Sequence, residues 1–221
     1  MDAKEIMAKV DHTLLLTTAT SADIRQTLDD AVAYGAATAC IPPSFVAMAK
    51  KHMGGRLPIC TVIGFPNGYM TGKAKVYEAQ CALEDGADEL DMVVNVPLVK
   101  DGAYADVARE IAAIKKAAGA QVLKVIIETC LLTEDEKRRM CEVVRDSGAD
   151  FIKTSTGFST GGATFEDIAL FREMLPDGFG IKAAGGIQTM ADAERFLELG
   201  ATRLGTSRIV KLLKSEQGTG Y

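Results

Sequence analysis

Short apolar runs alternate with amphipathic stretches from one end of the chain to the other. The segments Val10–Thr13, Thr38–Ile41, Ile59–Gly64, Glu89–Val96, Val122–Glu128, Asp150–Thr154, Gly178–Ala183 and Arg203–Gly205 read as strands, being short, apolar and bounded by turn residues. The stretches between them carry a helical period. In 101–118, Ala103, Val107, Ile111, Ile114 and Ala118 recur at steps of three or four, which places them on one helix face. Thr133 and Glu136 have the spacing of a capping box that opens the next helix, and Thr189 with Asp192 is a weaker start signal of the same kind.

A small repeat orders these elements. Gly35-Ala-Ala, Gly86-Ala-Asp, Gly148-Ala-Asp and Gly200-Ala-Thr each close a helix and lead into a strand, with glycine at the left-handed cap. The repeats are far enough apart to hold two β/α units each. Alternating units imply parallel strands joined by helices. Eight of them without a linker predict a single-domain α/β fold, a closed (β/α)8 TIM barrel over residues 1–214, followed by a flexible polar tail at 215–221. A doubly wound open sheet is the alternative, but its G-x-G-x-x-G signature is missing after the first strand.

Composition narrows the function classes. The chain has 221 residues, is 48% apolar and carries a formal net charge of −5, so a broad basic surface for nucleic acid is not expected. An odd number of cysteines without C-x-x-C reads as reduced thiols of a cytoplasmic protein. The N-terminal MDAKEIMAKVDH lacks the apolar core of a signal peptide. The uncharged stretch 31–49 is broken by Gly35, Pro42 and Pro43, so no membrane span is expected.

In a barrel of this kind, chemistry belongs at the C-terminal ends of the strands. Those positions hold Asp11 and Thr13, Cys40, Asp91 and Asn95, Lys124 and Glu128, Lys153, Lys182, and the run Gly205-Thr206-Ser207. Lysine is costly in a strand buried on both faces. Two of them, in FIKTSTGF and GIKAAGG, are each followed by a glycine-rich turn. Adjacent strands lie about 4.8 Å apart, which puts the two amines roughly 5 Å from each other. At an effective dielectric near 20, two such charges repel by about 3 kcal/mol, which favours a neutral, nucleophilic amine on one of them. A Schiff-base site is one reading of this pair; a structural ion cluster with Asp91 or Asp11 is the other. Asp91 suits a proton carrier or, equally, a buried salt-bridge acceptor. Gly157, Gly185, Gly186, Gly205 and Ser207 cluster at neighbouring strand ends, where exposed backbone N–H groups suit an anion such as phosphate. Taken singly, each is an ordinary turn residue. Cys40 is either a pocket residue or a structural thiol. The two histidines, His12 and His52, form no set with metal-ligand spacing, so no metal is expected.

On Asp11-His-Thr-Leu-Leu15, Cys40, ELDMVVNV around Asp91, KVIIET (124–129), FIKTSTGF (151–158), KAAGGI (182–187) and RLGTS (203–207), the chain resembles the 2-deoxyribose-5-phosphate aldolase family. The resemblance implies a class I aldolase that needs no cofactor, with Lys153 forming a Schiff base with acetaldehyde. It also implies that Lys182 tunes Lys153, that Asp91 relays protons, and that phosphate sits at Gly157, Gly185, Gly186, Gly205 and Ser207. Asp11, Thr13 and Cys40 fall on pocket positions. The implied partners are a sugar phosphate, small aldehydes and further copies of the chain in a dimer or tetramer. Rival readings are a Schiff-base aldolase with another donor and a non-catalytic sugar-phosphate sensor. Some members carry a lysine at Phe158 and an arginine at Gln188, and a serine pair of other members is Ser207-Arg208 here. Phosphate binding is therefore expected to lean on the backbone and on Arg208. Some relatives end in a tyrosine that reaches the active site; this chain ends in Tyr221.

Overall fold

The computed structural model describes residues 1–218. Its strands are β1 (Val10–Thr13), β2 (Thr38–Ile41), β3 (Ile59–Ile63), β4 (Glu89–Val93), β5 (Val122–Ile126), β6 (Phe151–Lys153), β7 (Gly180–Ala184) and β8 (Arg203–Thr206). They close in chain order into one barrel, β8 returning to β1, with every pairing parallel. The helices are α1 (Ala3–Met7), α2 (Ser21–Ala33), α3 (Val46–Met53), α4 (Gly72–Glu84), α5 (Val96–Lys100), α6 (Tyr104–Ala118), α7 (Glu134–Asp146), α8 (Phe165–Met174), α9 (Met190–Glu198) and α10 (Arg208–Gly218).

Local chemistry accounts for most of the boundaries. Thr133 caps α7 and Thr189 caps α9, each in a complete capping box with the acidic residue three positions on. The buried face of α6 includes Val107, Ile111, Ile114 and Ala118. The four repeat glycines adopt positive φ at helix ends, as their cap position requires. Several other strand boundaries differ by a residue or two, and two strands end clearly early. β4 stops at Val93 because Val96 and Pro97 already open α5, where proline's missing N–H costs nothing. β5 stops at Ile126, and Glu128 turns into the left-handed region. At the other end, α10 carries 215–218 of the expected tail. Ile209 and Val210 are buried, Leu212 and Leu213 pack on the core, and Lys214 pairs with Asp30 at 2.6 Å. Tyr221 lies outside the described residues.

Successive strand residues point to opposite faces, and here the two faces differ in chemistry. Outward residues such as Val10, Ala39, Leu90, Leu123, Val125, Ile152, Ile181 and Leu204 join Ile24, Leu28, Ile111, Ile114, Phe171 and Phe196 of the helices in one apolar core. Each large side chain buried there stabilises by about 1.5–3 kcal/mol. Inside the barrel a small apolar group of Cys40, Cys60 and Val62 shares the space with ionisable side chains. The outer layer supplies the stability against which that polar interior is held.

Candidate active site

The register of β6 on β7 sets Lys153 beside Lys182, as the strand pattern predicts. The close approach of these strands depends on Gly180, where a Cβ would lie 2.4 Å from the Phe151 ring. What stands between the two amines is Asp91, reaching in from β4. Its Oδ2 accepts from Lys153 Nζ at 2.6 Å and from Lys182 Nζ at 2.7 Å. Bare repulsion between the lysines is therefore not the resting arrangement; both are drawn to one carboxylate oxygen. Asp91 Oδ1 accepts from Lys124 Nζ at 3.0 Å and from the Cys60 thiol at 3.2 Å.

The network continues below. Lys182 also donates to Asp11 Oδ2. Asp11 Oδ1 accepts from Thr38 Oγ1 at 2.8 Å and from Arg203 at 2.6 Å. Arg203 and Lys124 both reach Glu89, and both lie over the Phe151 ring, at 5.5 and 5.9 Å. Three carboxylates, Asp11, Glu89 and Asp91, thus face four cations, Lys124, Lys153, Lys182 and Arg203. The sum is one positive charge in excess.

Burial opposes ionisation of Asp11, Asp91, Lys124, Lys182 and Arg203, and the mutual field overrides it. Asp91 is held well below the usual carboxylate range by Lys124, Lys153 and Lys182 against its desolvation. Asp11 is lowered by Lys182, Lys124 and Arg203 against the same burial cost. Lys182 is raised by Asp11 and Asp91, and Lys124 well raised by Asp91 among others, again against desolvation. Lys182 is therefore a fixed cation. Burial pushes the Cys60 thiol up, whereas the neighbouring Cys60 sulfur lowers Cys40 against its own burial. Among the three cluster lysines only Lys153 has any exposure, at 3% against 0% for Lys124 and Lys182.

Above the cluster, a cavity of about 650 Å³ opens at the barrel mouth. Thr13, Gly157, Gly185, Gly186, Gly205 and Ser207 all line it. Gly157, Gly185 and Gly186 have φ of +82°, +72° and +77°, a conformation that favours glycine and turns backbone groups toward a ligand. Phe158, Gln188 and Arg208 line the same cavity, joined by Lys211 and Lys214 from the exposed side of α10. Lys214 is paired with Asp30. Lys153, Asp91, Lys182, Asp11 and Cys40 do not line it; they form the buried floor within the barrel. A second cavity of about 270 Å³ shares Thr156 and Phe158 with the first and is lined by Glu128.

The strand-end reasoning found the lysines, Asp91 and Asp11 but gave no part in the site to Glu89, Arg203 or Cys60. The first two occupy the first residues of β4 and β8, two positions before Asp91 and Gly205, so the period-two rule applied backward from the site would have reached them. Cys60 stands beside Cys40 in register. Ligand-capable atoms of Cys40, Cys60 and Asp91 lie within 4.8 Å of one another, a grouping invisible in the linear spacing. The Asp91 oxygens in it are already taken by ammonium groups.

The chain is similar to known proteins over nearly its whole length. Residues 5–211 match the model of the DeoC/LacD family aldolases. A deoxyribose-phosphate aldolase from Streptococcus agalactiae is 56% identical over 222 residues, covering 99% of this chain and 100% of that protein. One from Streptococcus pyogenes is 56% identical over 216 residues, covering 98% and 97%. The tetrameric deoxyribose phosphate aldolase structure from Aeropyrum pernix superposes with a TM-score of 0.90 at 34% identity, covering 98% of this chain and 92% of that one.

Proposed function

The chain belongs to the DeoC/LacD family of aldolases, and from that premise we propose that it cleaves 2-deoxy-D-ribose 5-phosphate reversibly to acetaldehyde and D-glyceraldehyde 3-phosphate, with Lys153 as the Schiff-base lysine. The observation that carries the assignment is that Lys153 is the one partly exposed amine of a buried cluster and shares Asp91 Oδ2 with a fixed cation, Lys182.

The charge balance suits the reaction. The Lys153 amine, once its proton has passed to Asp91, adds to the open-chain carbonyl; the carbinolamine hydroxyl takes that proton back and leaves as water, and the resulting iminium carries the same positive charge, beside the same Asp91 oxygen, that the ammonium carried. Cleavage of the C2–C3 bond sends its electron pair into that iminium while the C3 hydroxyl gives up its proton. The product enamine is neutral, and once the hydroxyl proton has passed through Asp91 to solvent, three cations face three carboxylates. The cluster thus favours electron flow toward Lys153, as a preorganised field aimed at the charge that changes. Asp91 accepts and relays protons near the nitrogen, and Lys182 keeps the site electropositive. Protonation and hydrolysis of the enamine release acetaldehyde.

Phosphate is assigned to the mouth, at the backbone of Gly157, Gly185, Gly186 and Gly205 and at Ser207, just before the N-terminus of α10. Arg208 and Lys211 add charge in the same cavity. Thr13 shapes the pocket, Cys40 packs with Cys60 and Val62 inside the barrel, and Asp11 orients Lys182. The Aeropyrum relative's assembly supports a dimer or tetramer. Among the described residues no helix is long and apolar enough to cross a membrane, and all five cysteines are free; both agree with a cytoplasmic enzyme.

Borohydride reduction in the presence of acetaldehyde tests the assignment. Peptide mapping is expected to find the ethyl adduct on Lys153, and Lys153→Ala to lose both adduct and turnover while remaining folded. Tight sugar-phosphate binding with no adduct would instead favour the sensor reading, and an adduct elsewhere would move the nucleophile.

A further inference from the structure

Glu128 is the only non-glycine residue with positive φ among the described residues, at φ 54° and ψ 65°. A side chain held in that region persists only where its surroundings over-determine it, and such residues concentrate at functional sites. The surroundings here are specific. On one side Ile127 N–H donates to the Lys153 carbonyl at 3.0 Å; on the other Thr129 N–H donates to the Thr154 carbonyl at 2.9 Å. With both neighbours tied to consecutive residues of the same segment, the excess backbone between them is absorbed at Glu128.

The side chain is 3% exposed and closes a second set of bonds on that segment. Its carboxylate accepts from Thr156 N–H at 3.1 Å and from the Thr156 hydroxyl. The hydroxyl oxygen in turn accepts from Phe158 N–H at 3.0 Å. Three consecutive residues after β5 therefore grip the chain at Lys153, Thr154 and Thr156, and indirectly at Phe158. Thr156 and Phe158 are the wall shared by the two cavities, and Gly157 between them lines the larger.

We propose that Glu128 is a positioning residue for this aldolase: it accepts a strained backbone in order to clamp Thr156, and so holds the Gly157 backbone where the sugar phosphate binds. The inference rests on the aldolase reading for its kinetic consequence but not for the clamp itself. A carboxylate is suited to the place because it offers two acceptor oxygens to two donors of one residue and has no proton to point at them. A residue present only to turn the chain would be glycine, which adopts this conformation without penalty.

Glu128→Gly separates the two roles, relieving the backbone while removing the clamp. The expected result is an unchanged or higher melting temperature, a KM for the sugar phosphate raised about tenfold, and a kcat changed by less than about threefold. Exchange of the Thr156 amide hydrogen is expected to accelerate in the same variant. Thr156→Val combined with Glu128→Gly is expected to cost less than the sum of the two single variants, since both remove the hydroxyl–carboxylate contact. Should Glu128→Gly not fold, Glu128→Gln carries the same measurements, keeping the chain direction and a single acceptor oxygen, with a KM increase of about threefold. Wild-type KM together with wild-type Thr156 exchange in the folded variant overturns the proposal, as does full additivity with Thr156→Val. Absence of cleavage by the unmodified protein overturns the aldolase reading instead, and leaves the exchange measurement to decide the clamp.

Discussion

Lys75 and Lys182 are both fully buried amines in contact with carboxylates, yet they are placed in opposite electrostatic conditions. Lys75 of α4 lies outside the barrel, pairs with Glu110 of α6 at 2.9 Å and donates to the Val93 carbonyl at 2.8 Å. One carboxylate does not compensate for its burial: desolvation lowers Lys75 despite Glu110, and desolvation raises Glu110 despite Lys75. Lys182 touches two carboxylates that are themselves held by further cations, and it is raised despite equal burial. A buried lysine is thus no sign of chemistry by itself. The Lys75 pair ties α4 to α6 and secures the end of β4, whereas the Lys182 network fixes a charge next to Lys153, the one cluster lysine with any exposure.

The largest expected effect comes from breaking the network at its centre. Lys182→Met leaves Asp11 and Asp91 each with one cation fewer. Breaking a buried ion pair costs about 3–5 kcal/mol, which urea unfolding would register. Turnover is expected to fall by a factor on the order of 100. Removing a fixed positive charge beside the reacting nitrogen is expected to move the acid limb of the pH–rate profile upward. A profile that stays in place would mean that Lys182 does not act on Lys153 through its charge.

An intermediate effect is expected at the structural pair. Lys75→Met strands Glu110 and leaves the Val93 carbonyl without its donor, at a cost of about 3 kcal/mol. The double variant Lys75→Met/Glu110→Leu is expected to recover most of that loss, because it leaves no unpaired buried charge, and to retain near-normal kcat. A double variant as unstable as the single one, or one without activity, would erase the contrast drawn between the two lysines.

The smallest effect lies in the pH dependence of stability, and its sign differs between the regions. Asp11 and Asp91 have folded pKa values below the unfolded value near 3.8. Their contribution is complete above that value and is lost as the pH falls below it. Glu110 is raised above 4.5, so the folded chain holds its proton longer; its contribution is complete below 4.5 and declines as the pH rises through the folded value. One such group changes stability by at most about 1.4 kcal/mol per pH unit. Unfolding midpoints just above pH 4.5 are therefore expected to decline with pH slightly more steeply for the wild type than for Lys75→Met/Glu110→Leu. Parallel curves would show that Glu110 does not titrate differently on folding.

How far these features could be read beforehand follows from the range of the interactions behind them. The strands, the capped helices, the strand-end lysines and the glycine turns are written in spacings of two, three or four residues, and a reader needs only those spacings to find them. Lys153 beside Lys182 follows from the same logic, given consecutive parallel strands. The linear pattern offered Asp91 or Asp11 as a partner for one of them but could not show a single carboxylate held by both: Asp91 comes from β4, and only closure of the barrel brings it to both amines. Arg203 and Glu89, at the starts of β8 and β4, meet for the same reason. Likewise the Glu128 turn is set by bonds to Lys153, Thr154 and Thr156 of the following strand and loop. The amino-acid sequence by itself therefore determined which residues could take part, because local geometry is encoded locally. Tertiary structure decided which charges oppose which, because the field at a buried nitrogen depends on every group the fold places around it.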